Sequence, residues 1–115
     1  MEHSRFAAIV RWQLGWCEEM LGTKGEEYSS ADDRFHNFKV AAAVDGETPE
    51  KALWGMWKKH FVSLKDMVDG TAEGQAPEAN LLTEKIGDSI NYLLLLKGLL
   101  IERADIKTVV RNSTK

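Results

Sequence analysis

The 115-residue chain has a single cysteine, two prolines and no long uninterrupted apolar run. Each scarcity excludes something. With Cys17 alone no internal disulfide can form, which favours a reducing, cytosolic setting. The richest apolar stretch, residues 92–101, is broken by Lys97 and Gly98 and falls far short of the ~20 residues that span a bilayer, so no membrane partner is expected. At the start, Met1-Glu2-His3-Ser4-Arg5 has no basic region leading into an apolar one, and no secretory leader is expected from it. Excess positive charge is missing too. A net charge of −3 leaves no electrostatic footprint for duplex nucleic acid. There is no Walker-type phosphate loop, no Cys/His spacing for zinc and no serine in a nucleophile elbow.

What is present is helical periodicity. With 43% hydrophobic and 29% charged residues the composition is that of a globular domain. Four segments repeat at helical spacing and none alternates like a strand. The expectation is an all-α, four-helix bundle-like domain over residues 1–104, with a short tail at 105–115. The first helix is placed at 4–21, stopped by Gly22. The second starts at 32 or 33, capped by Ser30 or Asp32, and ends before Asp45-Gly46. The third opens with Thr48 as cap, Pro49 in the first position and Glu50 in the first turn, and runs to 68. Residues 70–77 read as a mobile loop and hinge, and the fourth helix runs from about 78–81 to 104. The four tryptophans, Trp12, Trp16, Trp54 and Trp57, are expected mostly in the core, with one free to offer a stacking wall.

The fourth helix is apolar almost all round between Leu93 and Ile101. Ile90, Leu93 and Leu100 share one face and Leu95 and Leu99 the opposite one. The expectation is a central rod and a homodimer or homotetramer that buries Leu95, Leu99 or their neighbours.

Several polar groups sit where apolar ones are expected. Glu84 and Asp88 are one turn apart on the face that continues into Leu95 and Leu99, with Asn91 beside them. Two adjacent carboxylates repel, and burial worsens this unless a cation intervenes. A hard divalent ion such as Mg²⁺ or Mn²⁺ is the simplest remedy, against the alternative of a solvated helix start. Asp33 is a third candidate ligand, against the alternative of helix capping. His60 lies in the centre of the stripe Leu53, Trp57, Leu64 and Met67. A histidine there is usually a core residue, and it gains interest only on meeting Glu84 or Asp88. Gln13 reads as a structural polar contact.

Read together, Lys24-x-x-x-Tyr28-x-x-x-x-Asp33, Asn37-Phe38-Lys39, Thr48-Pro49-Glu50-Lys51-Ala52-Leu53-Trp54-Gly55-Met56, Lys59-His60 and Glu84-Lys85-Ile86-Gly87-Asp88-Ser89-Ile90-Asn91-Tyr92-Leu93 resemble a family of small phage and prophage proteins without assigned activity. The last stretch is similar to the second acidic motif of the all-α nucleotide pyrophosphohydrolases of the MazG and dimeric dUTPase type. That resemblance implies helical bundles that dimerise or tetramerise, Mg²⁺ held by helix carboxylates, and cleavage of a nucleoside triphosphate to monophosphate and pyrophosphate. Glu84 and Asp88 are then the candidate catalytic and metal residues, with Asp33 a further ligand. Lys24, Tyr28, Asn37, Lys39, His60 and Asn91 are the candidates for holding the nucleotide. The motif's ligand glutamate is replaced by Lys85, and the first acidic motif is incomplete at Glu18-Glu19 and Glu26-Glu27. The alternative is a non-catalytic phage module that sequesters a nucleotide or a protein, or modulates host defence, in the cytoplasm of a bacterial host.

Overall fold

A computed structural model describes residues 1–28 and 33–104, with the backbone alone for 24–28. The side chains of Lys24 and Tyr28, the cap candidates Ser30 and Asp32, and the tail 105–115 lie outside the described residues. Four α-helices account for almost all of the described chain, as the periodicity requires: α1 (His3–Tyr28), α2 (His36–Asp45), α3 (Pro49–Gly70) and α4 (Ala79–Ala104).

Local chemistry sets most boundaries. The Thr48 hydroxyl accepts the Lys51 N–H at 3.1 Å, Pro49 supplies a pre-set φ, and Glu50 faces the helix dipole in the first turn of α3. Gly46 closes α2 in the left-handed region at φ 67°, where its N–H meets the Ala43 carbonyl and the Glu47 N–H meets that of Ala42. The Glu78 carboxylate accepts the Leu81 N–H at 2.9 Å at the start of α4.

Three boundaries differ from expectation. Helix α1 does not stop at Gly22 but continues to Tyr28. A lone glycine costs a helix about 1 kcal/mol and does not end it without a turn-forming neighbour. Helix α2 begins at His36, because the Asp33 carboxylate accepts the Phe35 N–H at 2.9 Å and holds the preceding residues in a turn. The segment expected as a hinge is wound onto the end of α3. A 3₁₀ turn (Thr71–Glu73) follows the helix, and Gln75 N–H returns to the Gly70 carbonyl at 3.1 Å.

Helix α3 packs on both α2 and α4, and α1 lies along α4. The contacts Glu50–Arg103 and His60–Asp88 run α3 antiparallel to α4. Gln13–Thr83 and Cys17–Gly87 run α1 parallel to it. Helix α4 is therefore the shared rod, flanked by α1 and α3. The core is small: Phe38, Leu53 and Leu99 are buried together, with Phe35, Met56, Tyr92, Leu95 and Leu96 packed against them.

This corrects the expectation for α4. Leu99 is 3% exposed and Leu95 packs against the same cluster, so α2 and α3 of the same chain already cover that face. The face that stays open carries Leu82, Ile86, Leu93 and Leu100. The tryptophans differ as well, since Trp12 is 61% and Trp54 45% exposed.

Candidate functional site

One cleft of about 540 Å³ collects most of the polar residues that broke the apolar pattern. Helix α4 provides Glu84, Asp88, Asn91, Tyr92 and Leu95, all within one sector of its surface because they follow at spacings of three and four. Helix α3 adds Met56 and His60, α2 adds Asn37 and Phe38, and α1 closes the end with Met20 and Leu21. Arg34, in the turn before α2, supplies the cationic group.

At the cleft, α3 and α4 meet through a histidine and a carboxylate. His60 Nδ1 lies 3.6 Å from Asp88 Oδ2, with both side chains less than one-fifth exposed. The imidazole is tilted 46° against the Tyr92 ring at a centroid distance of 5.1 Å. Burial, reinforced by the Asp88 charge, pushes the Tyr92 hydroxyl above its ordinary value and keeps it a neutral donor. Glu84 is more open; its nearest cation is Lys85 at 3.9 Å.

A polar ladder beneath the cleft fixes α1 against α4. Gln13 Nε2 donates to the Thr83 carbonyl at 3.3 Å, the Cys17 thiol to Gly87 O at 3.6 Å, and Asn91 Nδ2 to Cys17 O at 3.2 Å. Trp16 seats against Gly87 so closely that a Cβ there would sit 2.2 Å from the indole. Burial pushes the Cys17 thiol up, the Gln13 contact opposes this, and the Asp88 charge adds to the rise, so the thiol stays protonated and structural. With Nδ2 committed to Cys17 O, the Asn91 amide has one orientation. Its Oδ1 and His60 Nδ1 are buried without a hydrogen-bond partner among the described residues. Unpaired buried polar atoms of this kind are costly unless a ligand or ion meets them.

The structure thus brings Glu84, Asp88, Asn37, His60 and Asn91 together. Asp33 and Lys39 are not among the lining residues. They pair with each other at 2.6 Å, and Lys39 also holds Glu102 at 2.6 Å, so this cation is engaged between α2 and α4. The Lys39 contact holds the Asp33 carboxyl below its ordinary value. Position 85, where the resemblance places a ligand glutamate, turns away from the cleft. Lys85 lines a separate hollow with Ser63, Asp66 and Leu81. Glu84, one turn from Asp88, is the residue that shares its face.

Arg34 carries no signal in the sequence, because it lies outside any periodic segment. Tyr92 and Phe38 provide the aromatic surface expected of a tryptophan. Tyr92 was findable, since it follows Asp88 by one turn. Among the described residues no group of three or more His, Cys, Asp and Glu is placed to hold a metal ion. The pair Glu84 and Asp88 fits the alternative mode of Mg²⁺, in which one or two carboxylates act with water and substrate phosphates. Comparison with family models, curated proteins and solved structures finds no match to this chain.

Proposed function

We propose that this chain is a homo-oligomeric, metal-dependent nucleotide-binding protein whose ligand occupies the cleft between α4 and the α2–α3 pair. The observation that carries this reading is the charge arrangement of the cleft. Two carboxylates, Glu84 and Asp88, and one cation without an ion pair among the described residues, Arg34, line the same 540 Å³ space. Its other walls combine apolar and aromatic side chains with the polar Asn37, His60 and Asn91. That volume is within the range of ligand pockets, roughly 300–1,000 Å³. A phosphate complements Arg34, a divalent cation complements the carboxylates, and a metal–nucleotide complex supplies both. Phe38 and Tyr92 offer faces for a base, and Asn37 and Asn91 offer its hydrogen-bonding partners.

Glu84 and Asp88 would hold the metal, which when bound polarises the phosphoryl group and offsets its charge. Arg34 orients the phosphates and His60 buttresses Asp88. Turnover, where it occurs, adds water across the bond between the α and β phosphates, giving a nucleoside monophosphate and pyrophosphate. Binding has firmer support than turnover, because hydrolytic metal clusters usually take more carboxylates than this pair.

A thermal-shift panel of nucleoside mono-, di- and triphosphates, each with and without Mg²⁺ or Mn²⁺, tests the reading. The expected result is a rise in Tm that requires nucleotide and metal together, worth ~2.7 kcal/mol at a hundredfold excess over Kd. It should disappear in Glu84→Gln/Asp88→Asn. An equal shift in that variant, or none in the wild type, sinks the proposal. Chromatography of the triphosphate incubations then separates the catalytic reading from the sequestering one. Orthophosphate as product would refute pyrophosphate release.

A further inference from the structure

On α4, Ile86, Leu93 and Leu100 recur every seven residues on the face turned away from the cleft, and they are 37%, 52% and 47% exposed. Leu82, one turn before Ile86, extends the row at 41%. Helix α1 covers the Gly87 side and α3 the Leu99 side, and Ser89, beside the row between Ile86 and Leu93, is buried, while the four apolar side chains of the row stay more than one-third exposed. Between positions 82 and 100 the only charged side chain on this face is Lys97.

We propose that this row is a seam on which α4 packs against α4 of a second copy, antiparallel, about a two-fold axis through Leu93. The spacing points to that occupant. Leu93 stands midway between Ile86 and Leu100, so reversing a second α4 over the first places Leu93 on its own counterpart. It also sets Ile86 against the partner subunit's Leu100, and Leu100 against the partner subunit's Ile86. The stripe is complementary to itself, which is what an isologous interface needs, and no second charge meets Lys97.

The available area agrees. With the two-fold at Leu93, residues 82–104 of the two α4 helices overlap over ~34 Å, and a seam about 10 Å wide on two copies comes to roughly 700 Å². The α1 stripe adds to this. Parallel to α4 with Gln13 beside Thr83, it runs past the start of α4 at Ala79 and leaves Phe6 59% and Ile9 44% exposed where the partner's α4 would end. Together these surfaces approach the ~1,000 Å² of a specific interface. Both clefts remain open, because Asp88 and Leu95 are on the other side of the rod.

The seam names the geometry of the self-association included in the proposed function, and the test separates the two. Full-length Leu93→Cys is oxidised and run on a non-reducing gel, with Lys58→Cys on exposed α3 as collision control and the wild type sedimented in parallel. Cys17, 2% exposed, stays out of the reaction. Only at the two-fold does a residue meet its own copy within the roughly 4.4–6.8 Å Cα reach of a disulfide. The expected result is a wild-type species near twice 13.0 kDa and a Leu93→Cys covalent dimer several-fold more abundant than that of the control. Leu93→Glu should give a monomer of unchanged helicity. A dimeric wild type whose Leu93→Cys cross-links no better than Lys58→Cys overturns the seam alone. A wild type that is monomeric at micromolar concentration overturns self-association itself.

Discussion

Gly87 is the residue on which the α1–α4 contact depends most directly. Its missing side chain lets the Trp16 ring lie against the α4 backbone, and a methyl there would stand 2.2 Å from the indole. Gly87→Ala should therefore destabilise by about 1–3 kcal/mol, the usual cost of overpacking, although alanine is the better helix former. Chemical denaturation reads the loss, and Trp16→Leu in the same chain should recover most of it. If Gly87→Ala alone raises stability, helix propensity outweighs the contact. At this scale the cleft was largely legible in the sequence. Glu84, Asp88 and Asn91 betrayed themselves as polar residues in an apolar register, and His60 as the polar centre of an apolar stripe. Arg34 was not, because a turn has no periodicity against which one residue stands out. Lys39 is engaged by Glu102, far along the chain, which nothing in the local sequence reveals.

Among the elements, α3 and α4 are joined at one end by a two-point contact between Glu50, in the first turn of α3, and Arg103, in the last turn of α4. The distances are 2.6 Å from Nε and 2.8 Å from Nη2. Each charge also complements the dipole of its own helix. Arg103 holds the Glu50 carboxyl below its ordinary value. A carboxyl depressed in the folded state contributes stability that is present above its unfolded value, near 4.3, and is lost as pH falls towards the folded one. Urea midpoints measured from pH 6 down to pH 3 should fall less steeply in Glu50→Gln than in the wild type. Parallel curves would mean that the pair is too exposed to matter. Caps and glycines read well wherever a turn accompanied them, as at Thr48-Pro49 and Asp45-Gly46. Gly22 read badly because no turn-forming neighbour supports it. The sequence also left open which faces of α4 would be covered. That choice belongs to α2, a ten-residue helix whose Phe38 reaches across to Leu99.

For the molecule as a whole, the contrast between a core of a few side chains and the many half-exposed leucines, valines and aromatics has a thermodynamic consequence. A chain that completes its apolar burial only in an assembly has a melting temperature that depends on its own concentration. Raising the protein from ~1 to ~100 μM should lift Tm by several degrees in the wild type and leave Leu93→Glu unchanged. A concentration-independent wild type would mean that the small core suffices. Among the described residues no helix is long and apolar enough to cross a membrane.

The parallel course of α1 and α4 also orders events in time. The partners of Cys17 on α4 are 70 and 74 residues downstream, whereas α2, α3 and α4 follow one another and pack in sequence. On a ribosome α1 is made before α4 and docks after it, once the first half of α4, through Asn91, has emerged. Until then its Trp16 stripe has no surface of its own chain to cover it. The end of the cleft closed by Met20 and Leu21 is consequently completed after the part formed by α2, α3 and α4.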